Sequence, residues 1–171
     1  PEVSIGFFPD VGGSYFLSRL SCEMGTYMGV TGNSVGPADA LQLGLADWFL
    51  HREQITEFDR CLDNMQWGHS SPEAVRSLLN TLASKHSSGA QLTAVRGAIN
   101  THFAHNSVAD IIASLTSETD SSIQAWCQET IATLRSRSPL AMATTLEMLR
   151  RGQDLSLADC FRLEYHLGSQ W

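Results

Sequence analysis

The chain has 171 residues, 43% of them hydrophobic and 17% charged, with a net charge of −7 and a mean hydropathy of −0.10. That length supports a domain with its own core, while the acidic balance and the absence of any basic cluster longer than Arg150-Arg151 argue against nucleic-acid binding. No apolar run approaches the ~20 residues of a membrane span.

The chain opens on Pro1-Glu2-Val3-Ser4-Ile5-Gly6-Phe7-Phe8-Pro9-Asp10-Val11-Gly12-Gly13-Ser14, which sets carboxylates at the two ends of a short apolar run. Its β-branched and aromatic residues predict an extended segment over 3–8. Pro9 stops that segment, because proline donates no ladder hydrogen bond and biases Phe8 away from helix. Asp10 then reads as the N-cap of a helix, and Gly12-Gly13 allow close backbone approach as the helix begins. A strand–turn–helix unit of this kind directs Glu2 and Asp10 towards one small pocket, the arrangement that acid–base or nucleophilic chemistry requires. Each of these residues also has an ordinary reading. Glu2 fits a solvated surface carboxylate, Asp10 a helix cap and nothing more, and the glycine pair a close helix contact.

From Ser14 the pattern turns helical. Tyr15, Phe16, Leu17, Leu20, Met24, Tyr27, Met28 and Val30 predict two short helices, broken near Ser21-Cys22 and at Gly25 and Gly29. Thr31-Gly32-Asn33-Ser34 is turn chemistry. Pro37 suits a helix start, Ala38 to Leu43 give one short helix, and Gly44 ends it. Residues 46–50 read as a brief strand.

Beyond His51 the chain is predicted almost wholly helical. Ile55, Phe58, Leu62 and Met65 share one helix face, opposite Glu53, Glu57, Asp59 and Asp63. Pro72 after Ser71 starts the next helix, which runs to Ala83, and Lys85-His86-Ser87-Ser88-Gly89 reads as a polar loop. Later helices are marked by Val108, Ile111, Ile112 and Leu115, and then by Ile123, Trp126, Cys127, Ile131 and Leu134. Ser138-Pro139 opens another, with Leu140, Ala143, Leu146 and Leu149 inward and Gly152 closing it. A last helix spans residues 155–167.

Other chemistry-bearing residues read as structural. Cys22, Cys61, Cys127 and Cys160 are widely spaced, with no CxxC, as structural thiols in a reducing compartment are. His102 and His105 stand three apart with no carboxylate or cysteine to complete a metal set, so a solvated or capping role is expected and no metal site. Arg150-Arg151 near a helix C-terminus complement the helix dipole. Met24, Met28 and Trp126 are core candidates.

The opening motif, together with Val30-Thr31-Gly32-Asn33 and Ala38-Asp39-Ala40-Leu41-Gln42-Leu43-Gly44-Leu45-Ala46, resembles the crotonase (enoyl-CoA hydratase/isomerase) superfamily. Within it, Phe8-Pro9-Asp10-Val11-Gly12-Gly13 looks most like the 3-hydroxyisobutyryl-CoA hydrolase branch; the hydratases usually carry a small residue, often glycine, where this chain has Asp10. The resemblance runs on more weakly through Ile99-Asn100-Thr101-His102-Phe103, Ser138-Pro139-Leu140-Ala141 and Glu164-Tyr165.

The resemblance implies a mostly α chain with a small α/β edge: the C-terminal part of a crotonase-like α/β fold. Residues 1–50 would close the core and carry the catalytic motif, and residues 51–171 would form a helical region. The implied activity is hydrolysis of a short branched β-hydroxyacyl-CoA thioester, the step this branch performs in valine catabolism. Glu2 and Asp10 would be its catalytic and substrate-contacting carboxylates, with Gly12 and Gly13 beside the substrate. Backbone donors of the oxyanion hole would lie before Pro1, so the expected partners are the acyl-CoA, the N-terminal half of the same polypeptide and a possible second copy. Coenzyme A enters as part of the substrate, and no metal or redox cofactor is implied. The setting would be a bacterial cytoplasm or a mitochondrial matrix. Two rivals stay open: enoyl-CoA hydration by the same fold, and a non-catalytic interaction module.

Overall fold

The computed structural model describes residues 1–84 and 89–171. The predicted polar loop at 85–89 therefore lies, apart from Gly89, outside the described residues. Among the described residues ten α-helices follow a short 3-10 helix: α1 (Gly13–Leu17), α2 (Met24–Thr31), α3 (Pro37–Gln42), α4 (Arg52–Asp63), α5 (Ser71–Leu82), α6 (Leu92–His102), α7 (Val108–Thr116), α8 (Gln124–Ser136), α9 (Pro139–Gly152) and α10 (Leu157–Gln170). The mostly α reading holds. The extended pieces do not: among the described residues there is no β-strand.

Instead of an extended run, Glu2–Ile5 coil into the 3-10 helix. Its amide bonds close locally, Ser4 N–H to the Pro1 carbonyl at 2.9 Å and Phe7 N–H to that of Glu2 at 3.0 Å. Gly6 turns the chain out of it at φ 79°, a value that costs glycine nothing. A strand needs a ladder neighbour to take its amides, and local bonds take them here. Residues 46–50 are likewise irregular; the Phe49 carbonyl accepts from Ser84 N–H at 2.9 Å, a lone bond rather than a ladder.

The chain divides into two compact units, Pro1–Ser34 with Leu92–Trp171, and Val35–Gln91. In the first, α9 packs along α2 and α1. Gly29 of α2 permits the close approach, since a Cβ there would stand 2.8 Å from Leu149 Cδ1. Val3, Phe8, Met24, Val30, Ile99, Phe103, Ile111, Leu115, Leu134, Leu146 and Leu149 make its core. The inward face of α9 is displaced from the predicted one: Ala141, Met142, Thr145, Leu146, Met148 and Leu149 are buried, whereas Leu140 and Ala143 are exposed. The sequence step i, i+3 fits either side of such a helix, and the packing partners choose between them.

Three of these helices carry side-chain N-caps. Ser107, Ser138 and Ser156 accept the amides of Asp110, Ala141 and Asp159 at 3.0, 3.3 and 3.1 Å.

The second unit holds α3, α4 and α5. Pro37 starts α3 as expected and Gly44 follows it at φ 69°. Gln54 ties the ends of α4 and α5 together. Its Oε1 accepts from His51 N–H at 2.7 Å, and its Nε2 donates to the Leu82 carbonyl at 2.6 Å. The face expected to bury Ile55 and Met65 is only partly covered. Ile55 is exposed, Met65 lies past the end of α4, and neither α4 nor α5 buries a residue completely.

Candidate active site

The opening motif lies in the first unit, where Pro9-Asp10-Val11-Gly12-Gly13 forms a tight turn into α1. Val11 has φ 56° and Gly12 φ 87°. Left-handed backbone is ordinary for Gly12 but a true outlier for a β-branched residue such as Val11, costing on the order of 1–3 kcal/mol. Something must hold the turn there.

That something is Glu164 on α10. Its carboxylate is buried and accepts the Gly12 N–H at 2.8 Å, the Ser14 N–H at 2.9 Å and the Ser14 hydroxyl. Between those two amides, Gly13 N–H closes on the Asp10 carbonyl at 2.8 Å. The first free donors of α1 are thus satisfied by a carboxylate from a helix 150 positions away, where a neighbouring side chain ordinarily serves. The Asp10 side chain does not cap α1, whose N-cap is Gly12 with no side-chain bond of its own turn. The capping role expected of Asp10 therefore passes to Glu164, and the Asp10 carboxylate is left exposed.

Asp10 borders a cavity of about 390 Å³ together with Phe7, Val11, Phe161, Glu164, Tyr165, Gly168 and Ser169. Its rim is largely apolar, with Val11 and Tyr165 each 82% exposed. Phe7 of its lining is itself packed by aromatics. Phe7 and Phe8 stack at 4.3 Å, and Trp171 meets Phe8 edge-on at 5.3 Å while its Nε1 donates to the Gly6 carbonyl at 3.1 Å. The cavity is thus largely apolar, with one exposed carboxylate, that of Asp10, on its border.

Glu2 is half-buried on the 3-10 helix and is not among the residues that border this cavity. Gly12 and Gly13 stand behind the turn rather than on the cavity wall. A Cβ on Gly12 would meet Phe161 at 3.3 Å and one on Gly13 would meet Pro9 at 2.9 Å, close approaches that fit the packing reading of the pair.

A model of the enoyl-CoA hydratase/isomerase family matches residues 1–171. The chain belongs to that family. It is 33% identical over 169 residues to the probable 3-hydroxyisobutyryl-CoA hydrolase 3 of Arabidopsis thaliana, covering 98% of this chain and 44% of that protein. It is 32% identical over 172 residues to the mitochondrial 3-hydroxyisobutyryl-CoA hydrolase of Xenopus laevis, covering 98% and 43%. Among solved structures, a carnitinyl-CoA dehydratase from Mycobacterium thermoresistibile is 34% identical with a TM-score of 0.83, covering 99% of this chain and 46% of that one. This crotonase-family chain thus spans a little under half the length of the relatives it matches.

Elsewhere in this family member, the sequence-based candidates settle into structural roles. His102 is buried, not solvated as expected. Its Nδ1 lies 2.8 Å from Ser114 Oγ and its Nε2 3.1 Å from Glu118 Oε2, which joins α6 to α7. His105 lies beyond the end of α6, so the shared helix face does not form. Arg150 does sit in the last turn of α9, but it also clamps Glu23 at 2.9 and 3.0 Å and donates to the Phe103 carbonyl at 2.8 Å. All four cysteines are free thiols, Cys127 and Cys160 buried. Among the described residues no cluster of three metal-binding side chains occurs, and no helix is long and apolar enough to cross a membrane.

Sequence reasoning missed Glu164 and Ser14. One signal for Glu164 was available: it stands one turn from Cys160 on the side of α10 that is buried. A carboxylate on the inward face of an amphipathic helix demands partners.

Proposed function

We propose that this chain is the C-terminal part of an acyl-CoA thioesterase of the 3-hydroxyisobutyryl-CoA hydrolase type, with Asp10 and Glu2 as its reacting carboxylates. The observation that carries the reading is Asp10 itself. It stands where family hydratases usually have a small residue, its carboxylate is free of any capping duty, and it borders an apolar cavity large enough for a branched acyl group. Relatives about one-third identical that are named hydrolases of this substrate support it.

In this reading one carboxylate activates water, or attacks directly, at the thioester carbonyl. The tetrahedral oxyanion is held by backbone N–H groups supplied by the part of the polypeptide before Pro1, a contribution commonly worth ~3–4 kcal/mol per donor. The C–S bond then breaks and the thiol of coenzyme A leaves with a proton; the 3-hydroxy acid is released at once where water attacked, and after a water hydrolyses the acyl–carboxylate anhydride where the carboxylate attacked. The second carboxylate handles that proton and orients the substrate hydroxyl. Coenzyme A enters only within the substrate, and no step calls on a metal or redox group. The Xenopus relative's name points to a mitochondrial setting for a eukaryotic source.

The likeness to the carnitinyl-CoA dehydratase favours a second reading, addition or removal of water across a carbon–carbon double bond of an acyl-CoA. Products separate the two. With 3-hydroxyisobutyryl-CoA the full-length protein is expected to release free thiol, read with a thiol reagent, and to leave enoyl-CoA absorbance unchanged. A rise in enoyl absorbance without thiol release would establish the dehydratase reading and end the hydrolase one.

A further inference from the structure

We propose that Glu164 is a positioning residue for Asp10: its carboxylate holds the left-handed Val11-Gly12 turn and so fixes where the Asp10 carboxylate meets the substrate. The inference rests on the thioesterase reading of Asp10 given above.

Four observations converge on it. Val11, next to Asp10, occupies backbone that a β-branched residue avoids, at φ 56°. Glu164 takes Gly12 N–H and Ser14 N–H with one oxygen each. Both ends of the grip are out of water, Ser14 at 0% and Glu164 at 5% exposure, so the bonds are not exchanged for solvent. The same helix also builds the cavity that Asp10 borders: Phe161 and Tyr165 flank Glu164 in sequence and line that cavity with it. A shift of α10 thus moves the wall and the carboxylate together. A buried carboxylate that served α1 alone would need no strained residue beside a solvated acid.

Without Glu164 the turn relaxes at Val11 and Asp10 loses its aim, while the acyl-CoA cleft keeps its contacts. The experiment compares Glu164→Gln, Asp10→Asn and the double variant Val11→Gly/Glu164→Gln in the full-length protein, assayed by thiol release at a temperature well below melting. Gln retains one acceptor but presents an amide N–H to the other donor. The expected result for E164Q is a fall in kcat of at least about 10-fold with KM within about 3-fold, the signature of misplaced reacting groups. Val11→Gly in the same background, which accepts left-handed φ without strain, is expected to restore part of the lost kcat.

A folded E164Q with native kcat and only a lower Tm would overturn the positioning role and leave Glu164 a staple between α1 and α10. Failure of the glycine to restore any kcat would overturn the strain argument and the inference with it. Should E164Q not fold, Glu164→Asp keeps the charge but withdraws both oxygens from the two amides, and a native kcat there overturns the proposal equally. An Asp10→Asn protein with native kcat would instead bring down the catalytic reading of Asp10 on which the inference rests. A dead D10N beside a fully active E164Q separates the two.

Discussion

Asp10 and Glu2 carry the same functional group in unlike surroundings, and their substitutions should separate accordingly. Asp10 lies open at the cavity rim with no duty to α1. Asp10→Gly, which installs the hydratase-like residue, is expected to abolish thiol release while acyl-CoA affinity stays within a few-fold. Measuring kcat and ligand affinity separately checks this, and unchanged turnover would reduce Asp10 to a turn residue. Glu2 sits half-buried on the 3-10 helix behind Gly6. Glu2→Gln keeps the size and the hydrogen bonding but removes the basicity, so a drop in kcat of at least ~10²-fold is expected of a general acid–base group. A near-native kcat with a raised KM would make Glu2 a binding residue.

At the ends of elements, carboxylates with hydrogen-bonding partners give the fold a pH dependence whose sign is fixed. Glu118 receives the amides of Asp120 and Thr119 at 2.8 and 2.7 Å and faces the His102 ring. Those amide bonds first, and the imidazole after them, hold its carboxyl below the usual carboxylate range. Asp120 is held low by the Ser122 side chain and amide, and Asp159 by Ser156 and then Arg162. A depressed carboxylate favours the folded state above its unfolded pKa, and the contribution is lost as pH falls through the folded one. Stability should therefore be flat near neutrality and decline with acidification below about pH 4. Melting curves across pH 2–7 check this, and Glu118→Gln is expected to shallow the acid limb while lowering Tm at pH 7. An acid limb unchanged in E118Q would place the pH sensitivity elsewhere.

For the whole molecule, the reading requires more surface than these residues supply. Ile5, Val11 and Tyr165 are each more than 80% exposed, and Phe16, Phe161, Leu157, Leu140 and Trp171 are substantially so, all within the first unit. Exposed apolar area of this extent marks an interface. Residues 1–171 alone are therefore expected to release no thiol from 3-hydroxyisobutyryl-CoA and to self-associate in solution, read by the thiol assay and by size-exclusion chromatography. Activity from this stretch by itself would sink the requirement for donors upstream.

The sequence by itself determined the helical nature of the chain, most helix starts and the family. Serine before an apolar repeat, as at Ser107 and Ser138-Pro139, is a local signal whose partner amide lies three residues away. The opening motif was legible for the same reason, since its prolines and glycines act on their own backbone. What the tertiary structure alone decided is everything that depends on distant partners. Residues 3–5 look extended by composition, yet local bonds coil them into a 3-10 helix. The inward face of α9 was set by what packs on it, and His102 was drawn into the core by Ser114 and Glu118. Above all, the carboxylate that holds the Asp10 turn comes from α10. No local rule connects Glu164 to Gly12, because the bond between them is made only when the chain has folded.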